Sequence, residues 1–282
     1  RPDGNAIDIL FVRPEGQAPL PCIIYLHGGG MAAGNPMGPP WTRFGRAIAQ
    51  QGVCVALVDF RNYALPSRPG KKIGRFPAGL NDCMSALEWV NENKASLGVG
   101  ERVVIAGESG GGNLTLALAM KCKRDGKLSL FQGFYALCPY IAGAWPDRPG
   151  EAGEILGSSH MKAANDGIML KLTAVGKNVS YAPRAHEERD PLAWPGFAKE
   201  DDVEGLPPGV ISVDECDPLC DEGINFYRLL LRAKVRARCV MQVGVMHGGH
   251  VLGLTATPEH TLITARALAD MALGEEALLS RL

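Results

Sequence analysis

The sequence predicts an α/β fold in which a mostly parallel central sheet is flanked by helices, and three observations carry that expectation. Short β-rich runs alternate with longer helical patterns along the chain, the signature of strands joined by crossover helices. The runs at 22–26 (CIIYL), 53–58 (VCVALV) and 103–106 (VVIA) are continuously apolar, as strands covered on both faces must be. The length, 282 residues, suits one large domain with some decoration.

Taken in order, the chain begins at Arg1, almost directly on a strand-like segment. A strand at Cys22–Leu26 precedes a helix at Trp41–Gln50, a strand at Val53–Asp59 precedes a helix at Ala78–Asn93, and a strand at Arg102–Ala106 precedes a helix at Gly110–Lys123. After an apolar run at Leu130–Leu137 the rhythm breaks. Pro139–Pro208 is rich in Pro, Gly and charge, with one modest helical stretch near Asp166–Val175, and reads as an insertion over one edge of the sheet. Strand and helix then resume at Val210–Val213, Asp221–Ala233 and Ala237–Val243. A last helix is opened by Thr257, with Pro258 in its first turn. The expected organisation is a single domain over residues 1–282, with a cap-like insertion inside 139–208.

Composition excludes several classes of partner. Lys plus Arg number 29 against 30 Asp plus Glu, for a net charge of −1. The basic clusters Lys71-Lys72 and Lys121–Arg124 read as solvated helix ends and loops, so no nucleic acid partner is expected. No apolar run approaches the roughly 18 residues that span a bilayer, and no signal peptide is visible. Of eight cysteines, Cys22, Cys54 and Cys138 fall in apolar runs, and Cys216 and Cys220, the only close pair, read as unlinked thiols. No metal-ligand spacing is present. The expectation is a cytoplasmic protein without metal or cofactor; the sequence leaves a homodimer open.

Chemistry concentrates in two glycine-rich motifs. Gly107-Glu108-Ser109-Gly110-Gly111 is a G-x-S-x-G placed between a predicted strand and a predicted helix. Such a turn thrusts the serine above the sheet edge, with glycines relieving the crowding and a helix N-terminus behind it. His27-Gly28-Gly29-Gly30 follows the strand Cys22–Leu26, where successive glycines leave N–H groups free to meet a substrate oxygen. A phosphate-binding loop would end in Lys followed by Ser or Thr, and Met31-Ala32 supplies neither. Asp217 follows the strand Val210–Val213 and His247 follows the strand Ala237–Val243, so both lie where open α/β sheets build their sites, in the chain order Ser, Asp, His.

The HGGG motif followed by GESGGGN resembles the hormone-sensitive-lipase-like family of bacterial esterases, which belong to the α/β-hydrolase superfamily. The stretches Asp59-Phe60-Arg61, Phe76-Pro77-Ala78 and Asp217-Pro218-Leu219-Cys220-Asp221-Glu222-Gly223 resemble further motifs of that family, in the right order from about Ile9 to about Leu254. The resemblance implies Ser109 as nucleophile, Asp217 as acid and His247 as base. It implies oxyanion donors at the N–H groups of Gly29, Gly30 and Gly110, supported by His27, Gly28, Gly107 and Glu108. The implied substrate is a small ester with a short to medium acyl chain, hydrolysed through an acyl-enzyme. The family's cap also uses residues ahead of the first strand, so part of it is expected to lie outside this chain.

Alternatives among single residues are weighed the same way. Asp214 lacks the motif match and Asp221 opens a helix, where a carboxylate favours the dipole. His160, His186 and His260 are expected at the surface, and Glu108 is expected to be structural. Two departures from the family stand out: Gly249 occupies a position often aromatic, with His250 next to it, and Ser67–Arg75 is longer and more basic than its counterpart. The same residues could serve an acyltransferase or an amidase. A non-catalytic ligand-binding receptor on this fold is the alternative from another class, disfavoured because Ser109, Asp217 and His247 are all present.

Overall fold

The computed structural model describes residues 4–16, 19–143, 164–172, 180–252 and 258–274. Seven strands are present among them: β1 (Ile9–Val12), β2 (Leu20–Leu26), β3 (Cys54–Val58), β4 (Val99–Glu108), β5 (Gly133–Leu137), β6 (Gly209–Cys216) and β7 (Ala237–Met246). They form one sheet in the order β1-β3-β2-β4-β5-β6-β7, parallel throughout except for β1, which runs antiparallel to β3 at the edge. The main helices are α1 (Pro39–Ala49), α2 (Ala78–Glu92), α4 (Gly110–Arg124), α7 (Cys220–Arg232) and α9 (Pro258–Leu273). Shorter ones are α3 (Lys94–Leu97), α5 (Pro183–Glu187), α6 (Glu200–Val203) and α8 (Gly249–Leu252).

Successive side chains of a strand point to opposite faces, and here both faces are dry. Cys22, Ile24 and Leu26 pack with residues of α2, α4 and α7, while Ile23 and Tyr25 pack with Phe44 and Ile48 of α1 and Ala265, Leu268 and Ala269 of α9. That double cover is why the strands read as unbroken apolar runs. The first helix starts two residues before Trp41 because Pro39 is suited to a first helical turn, where its missing N–H costs nothing.

One expected element differs. Of the helical stretch expected near Asp166–Val175, Leu172 is helical but residues 166–168 form a turn: Gly167 adopts φ +94° and the Asp166 carboxylate accepts the Leu172 N–H at 2.7 Å. An Asp-Gly pair supplies a side-chain acceptor and a left-handed residue, both of which favour a turn over a helix. Val175, Thr257 and His160 lie outside the described residues.

Candidate active site

Ser109 stands at the junction of β4 and α4 with φ +56° and ψ −116°, a left-handed conformation rare for a residue with a side chain. The chain tolerates this turn because Gly107, Gly110 and Gly111 stand around it. A Cβ on Gly107 would lie 2.5 Å from the carbonyl oxygens of Leu26 and Gly111, and one on Gly111 would lie 1.9 Å from the Leu26 oxygen. The elbow is then pinned by backbone: Ser109 N–H donates to the Leu137 carbonyl at 2.9 Å, and Tyr140 N–H donates to the Ser109 carbonyl at 3.0 Å.

The hydroxyl this turn presents meets a histidine. His247 Nε2 lies 2.8 Å from Ser109 Oγ, and His247 Nδ1 lies 2.7 Å from Asp217 Oδ2. A carboxylate only accepts, so Nδ1 carries the proton toward Asp217 and Nε2 is left to accept from the serine. Asp217 is fully buried, and its other oxygen accepts the Leu219 N–H at 3.0 Å. Burial of His247 opposes its protonation, but the charge and hydrogen bond of Asp217, with the charges of Asp214 and Glu108, outweigh it and raise its pKa above the ordinary 6.5.

Opposite the serine, the loop after β2 folds back on the elbow. Gly29 and Gly30 adopt φ +105° and +62°, and a Cβ on Gly110 would sit 2.6 Å from Met31 N and 2.8 Å from Gly30 N. Only glycine permits that approach. The N–H groups of Gly29, Gly30 and Gly110 make no hydrogen bond among the described residues, which leaves them available to an incoming oxygen.

Two further motif residues hold this loop. Glu108 is buried and accepts three hydrogen bonds: from Gly28 N–H and Trp41 Nε1–H at 2.6 Å on Oε1, and from Tyr25 O–H at 2.6 Å on Oε2. Burial pushes its carboxyl above the usual carboxylate range, and the three donors act against that shift without cancelling it. His27 is fully buried and stacks on Phe60 at 4.1 Å. Burial lowers its pKa to about 4, so the ring is neutral near pH 7, and its Nδ1 donates to the Gly28 carbonyl at 2.7 Å.

The remaining candidates fall elsewhere. Asp221 sits in the first turn of α7. His186 is half-buried against Trp194 and Phe197, and His260 is half-buried with Nδ1 3.3 Å from Gln242 Oε1, so neither is a plain surface histidine and neither contacts Ser109. His250, by contrast, is fully buried, with Nδ1 3.3 Å from Asp214 Oδ1. This second Asp–His pair was not legible as a pair, since its members are 36 residues apart and neither belongs to a motif. Cys138 lies between the two pairs, its Sγ within 4.8 Å of one carboxylate oxygen and one ring nitrogen of each. Burial and the two carboxylates raise its thiol well above the ordinary range, so it packs here as a protonated thiol. All eight cysteines are unpaired. A separate recess lined by Arg102, Pro208, Arg236 and Arg238 opens at the amino ends of β4, β6 and β7, across the sheet from Ser109.

A serine, histidine and carboxylate in hydrogen-bond sequence at the carboxyl edge of a parallel sheet define a hydrolase-type site. The chain belongs to the α/β-hydrolase fold family, whose pattern matches residues 23–251. It is 29% identical to carboxylesterase NlhH of Mycobacterium tuberculosis over 257 residues, which span 89% of this chain and 73% of that protein. Its structure is similar to that of esterase Est22 (TM-score 0.89, 46% identity, 97% of this chain and 79% of the other). It is also similar to brefeldin A esterase, described as a bacterial homologue of human hormone-sensitive lipase (TM-score 0.87, 38% identity, 96% and 73%). The hormone-sensitive-lipase-like resemblance therefore holds, and esterase chemistry is the activity these relatives support. No helix among the described residues is long and apolar enough to cross a membrane.

Proposed function

We propose that this chain is a serine carboxylesterase that hydrolyses esters of short to medium acyl chain through an acyl-enzyme on Ser109. The observation that carries the reading is the unbroken chain Ser109 Oγ–His247 Nε2 (2.8 Å) and His247 Nδ1–Asp217 Oδ2 (2.7 Å). As Ser109 attacks the ester carbonyl, His247 takes its proton, and Asp217 holds the imidazole in the required tautomer and stabilises the imidazolium. The carbonyl oxygen becomes an oxyanion, which the N–H groups of Gly29, Gly30 and Gly110 receive; one such donor contributes about 3 kcal/mol. His247 then returns the proton to the departing alkoxide. Water, deprotonated by the same imidazole, releases the acid and regenerates the serine. No residue role in this scheme requires a metal or cofactor.

The segment inside 139–208 would serve as part of the cap over the acyl site, and the eight unpaired cysteines favour a reducing compartment. Ser109→Ala tests the reading. The variant should fold, with unchanged circular dichroism and Tm, and should lose p-nitrophenyl butyrate hydrolysis by several powers of ten. Retained turnover in pure, folded variant protein would remove Ser109 from the mechanism.

A further inference from the structure

Behind the His247–Asp217 pair, β6 carries a second carboxylate that the mechanism does not use. Asp214 is fully buried, and its Oδ2 accepts the backbone N–H of Gly248, the residue that follows His247, at 2.9 Å. The path of β7 explains how the two meet. The step from Asp214 to Cys216 on β6 is matched by a step from Gln242 to Met246 on β7, so β7 bulges outward between them, with Gly244 at φ +74° and its N–H held by Glu215. The chain returns from this bulge directly into His247. Gly248 is itself left-handed, at φ +67°, and the next turn is α8, whose His250 places Nδ1 3.3 Å from Asp214 Oδ1 and whose carbonyl accepts the Thr261 hydroxyl at 2.7 Å. The segment leaves an irregular strand, presents one imidazole and enters a short helix whose Val251 and Leu252 N–H groups donate to the Gly248 carbonyl at 2.9 and 2.8 Å. Asp214 supplies a further contact, the hydrogen bond from Gly248 N–H to Oδ2, while its Oδ1 faces His250 Nδ1 at 3.3 Å without a hydrogen bond.

We propose that Asp214 is a positioning residue for His247, holding the Gly248 backbone so that the imidazole spans Asp217 and Ser109, and placing a second buried negative charge behind the ring. The proposal rests on the serine-esterase reading above. His250 lies on the far side of Asp214, Nδ1 3.3 Å from Oδ1, and does not touch Ser109.

The charge has a consequence that packing alone would not have. The ionisable groups facing His247 are Asp217 and Asp214 from β6 and its end, Glu108 from β4, the Cys138 thiol after β5, and His250 from its own loop. Asp214 is one of three carboxylates that favour the imidazolium. A unit charge roughly 10 Å away at an effective dielectric near 20 shifts a pKa by about one unit. Removing it lowers the pKa of the base, so the rise of kcat with pH moves toward acid.

Asp214→Asn separates the two contributions, because its amide oxygen still accepts the Gly248 N–H while the charge is gone. The measurement is the pH dependence of kcat and KM for p-nitrophenyl butyrate hydrolysis by wild type, Asp214→Asn and Asp214→Ala, each checked for folding, with Ser109→Ala as the control. For Asp214→Asn the acid limb should move down by about one pH unit, with a plateau kcat within about tenfold of wild type and KM unchanged. For Asp214→Ala the plateau kcat should also fall, by about a hundredfold. An acid limb that stays in place in folded Asp214→Asn, or an Asp214→Ala plateau equal to wild type, overturns the proposal while leaving the esterase reading intact. An active Ser109→Ala overturns that reading instead.

Discussion

Replacing Glu108 tests whether the motif residue beside the serine works as the anchor of the glycine loop. The side chain joins three elements at once: Gly28 of the loop, Trp41 of α1 and Tyr25 of β2. Truncation to alanine leaves the Tyr25 hydroxyl and the Gly28 N–H buried without an acceptor, and the half-buried Trp41 indole with reduced access to one. A stranded buried donor costs about 1–3 kcal/mol, so the two buried donors and the void together cost about 4 kcal/mol. For a chain of this size that lowers Tm by about 10 °C. Gly28 would also be released, so kcat should fall while KM changes little. Glutamine behaves differently. Its carbonyl oxygen accepts from Gly28 and Trp41, and its amide donates to the Tyr25 oxygen once that hydroxyl turns, so all three contacts survive. The glutamate carries a second signature. Its pKa in the folded protein is raised, so from the ordinary value of 4.5 upward the folded state holds the proton more tightly than the unfolded chain does. Stability contributed here falls as pH rises through that window, and the neutral glutamine lacks that loss. Thermal unfolding of wild type, Glu108→Gln and Glu108→Ala at pH 5 and pH 8 should therefore place Glu108→Ala far below the others, with Glu108→Gln gaining on wild type at the higher pH. A Glu108→Ala protein with wild-type Tm and kcat would refute the anchoring argument.

Three further predictions concern the same edge of the sheet. His247→Ala should lose several powers of ten in kcat, on the order of a million-fold as for a triad histidine elsewhere, whereas folded His250→Ala should lose far less, and the reverse outcome would mean that the base has been misassigned. The wild-type rate should rise with pH through a value above the ordinary 6.5 of histidine, because His247 must be neutral to accept the serine proton and its pKa is raised. Gly111→Ala should not fold stably, since its Cβ would lie 1.9 Å from the Leu26 carbonyl and 2.7 Å from that of His27, backbone atoms of β2 and its exit that cannot yield; soluble Gly111→Ala with unchanged Tm would show that the helix start can shift.

The strands were legible because covering both faces leaves a simple trace, a continuous apolar run such as Cys22–Leu26. The glycine motifs were legible for a related reason: Gly107, Gly110 and Gly111 mark places where backbone meets backbone, and no other residue fits. What escaped depends on long-range register. Nothing local says that Glu108 faces Trp41, 67 positions away, or that Asp214 reaches Gly248, 34 positions away, because those contacts are set by the strand order and by the bulge in β7. The turn at Asp166-Gly167 is set by the chemistry of two adjacent residues, a side-chain acceptor and a left-handed glycine, inside a stretch whose overall pattern is helical.

The central claim is that Ser109 is the nucleophile activated by His247, and covalent labelling tests it most directly. The native protein is treated with a fluorophosphonate and the adduct is located by peptide mass mapping, with His247→Ala as the comparison. The account predicts a single adduct on Ser109, formed rapidly in the wild type and slowed by orders of magnitude in the variant. An adduct on another serine, or labelling of Ser109 that does not depend on His247, would contradict it.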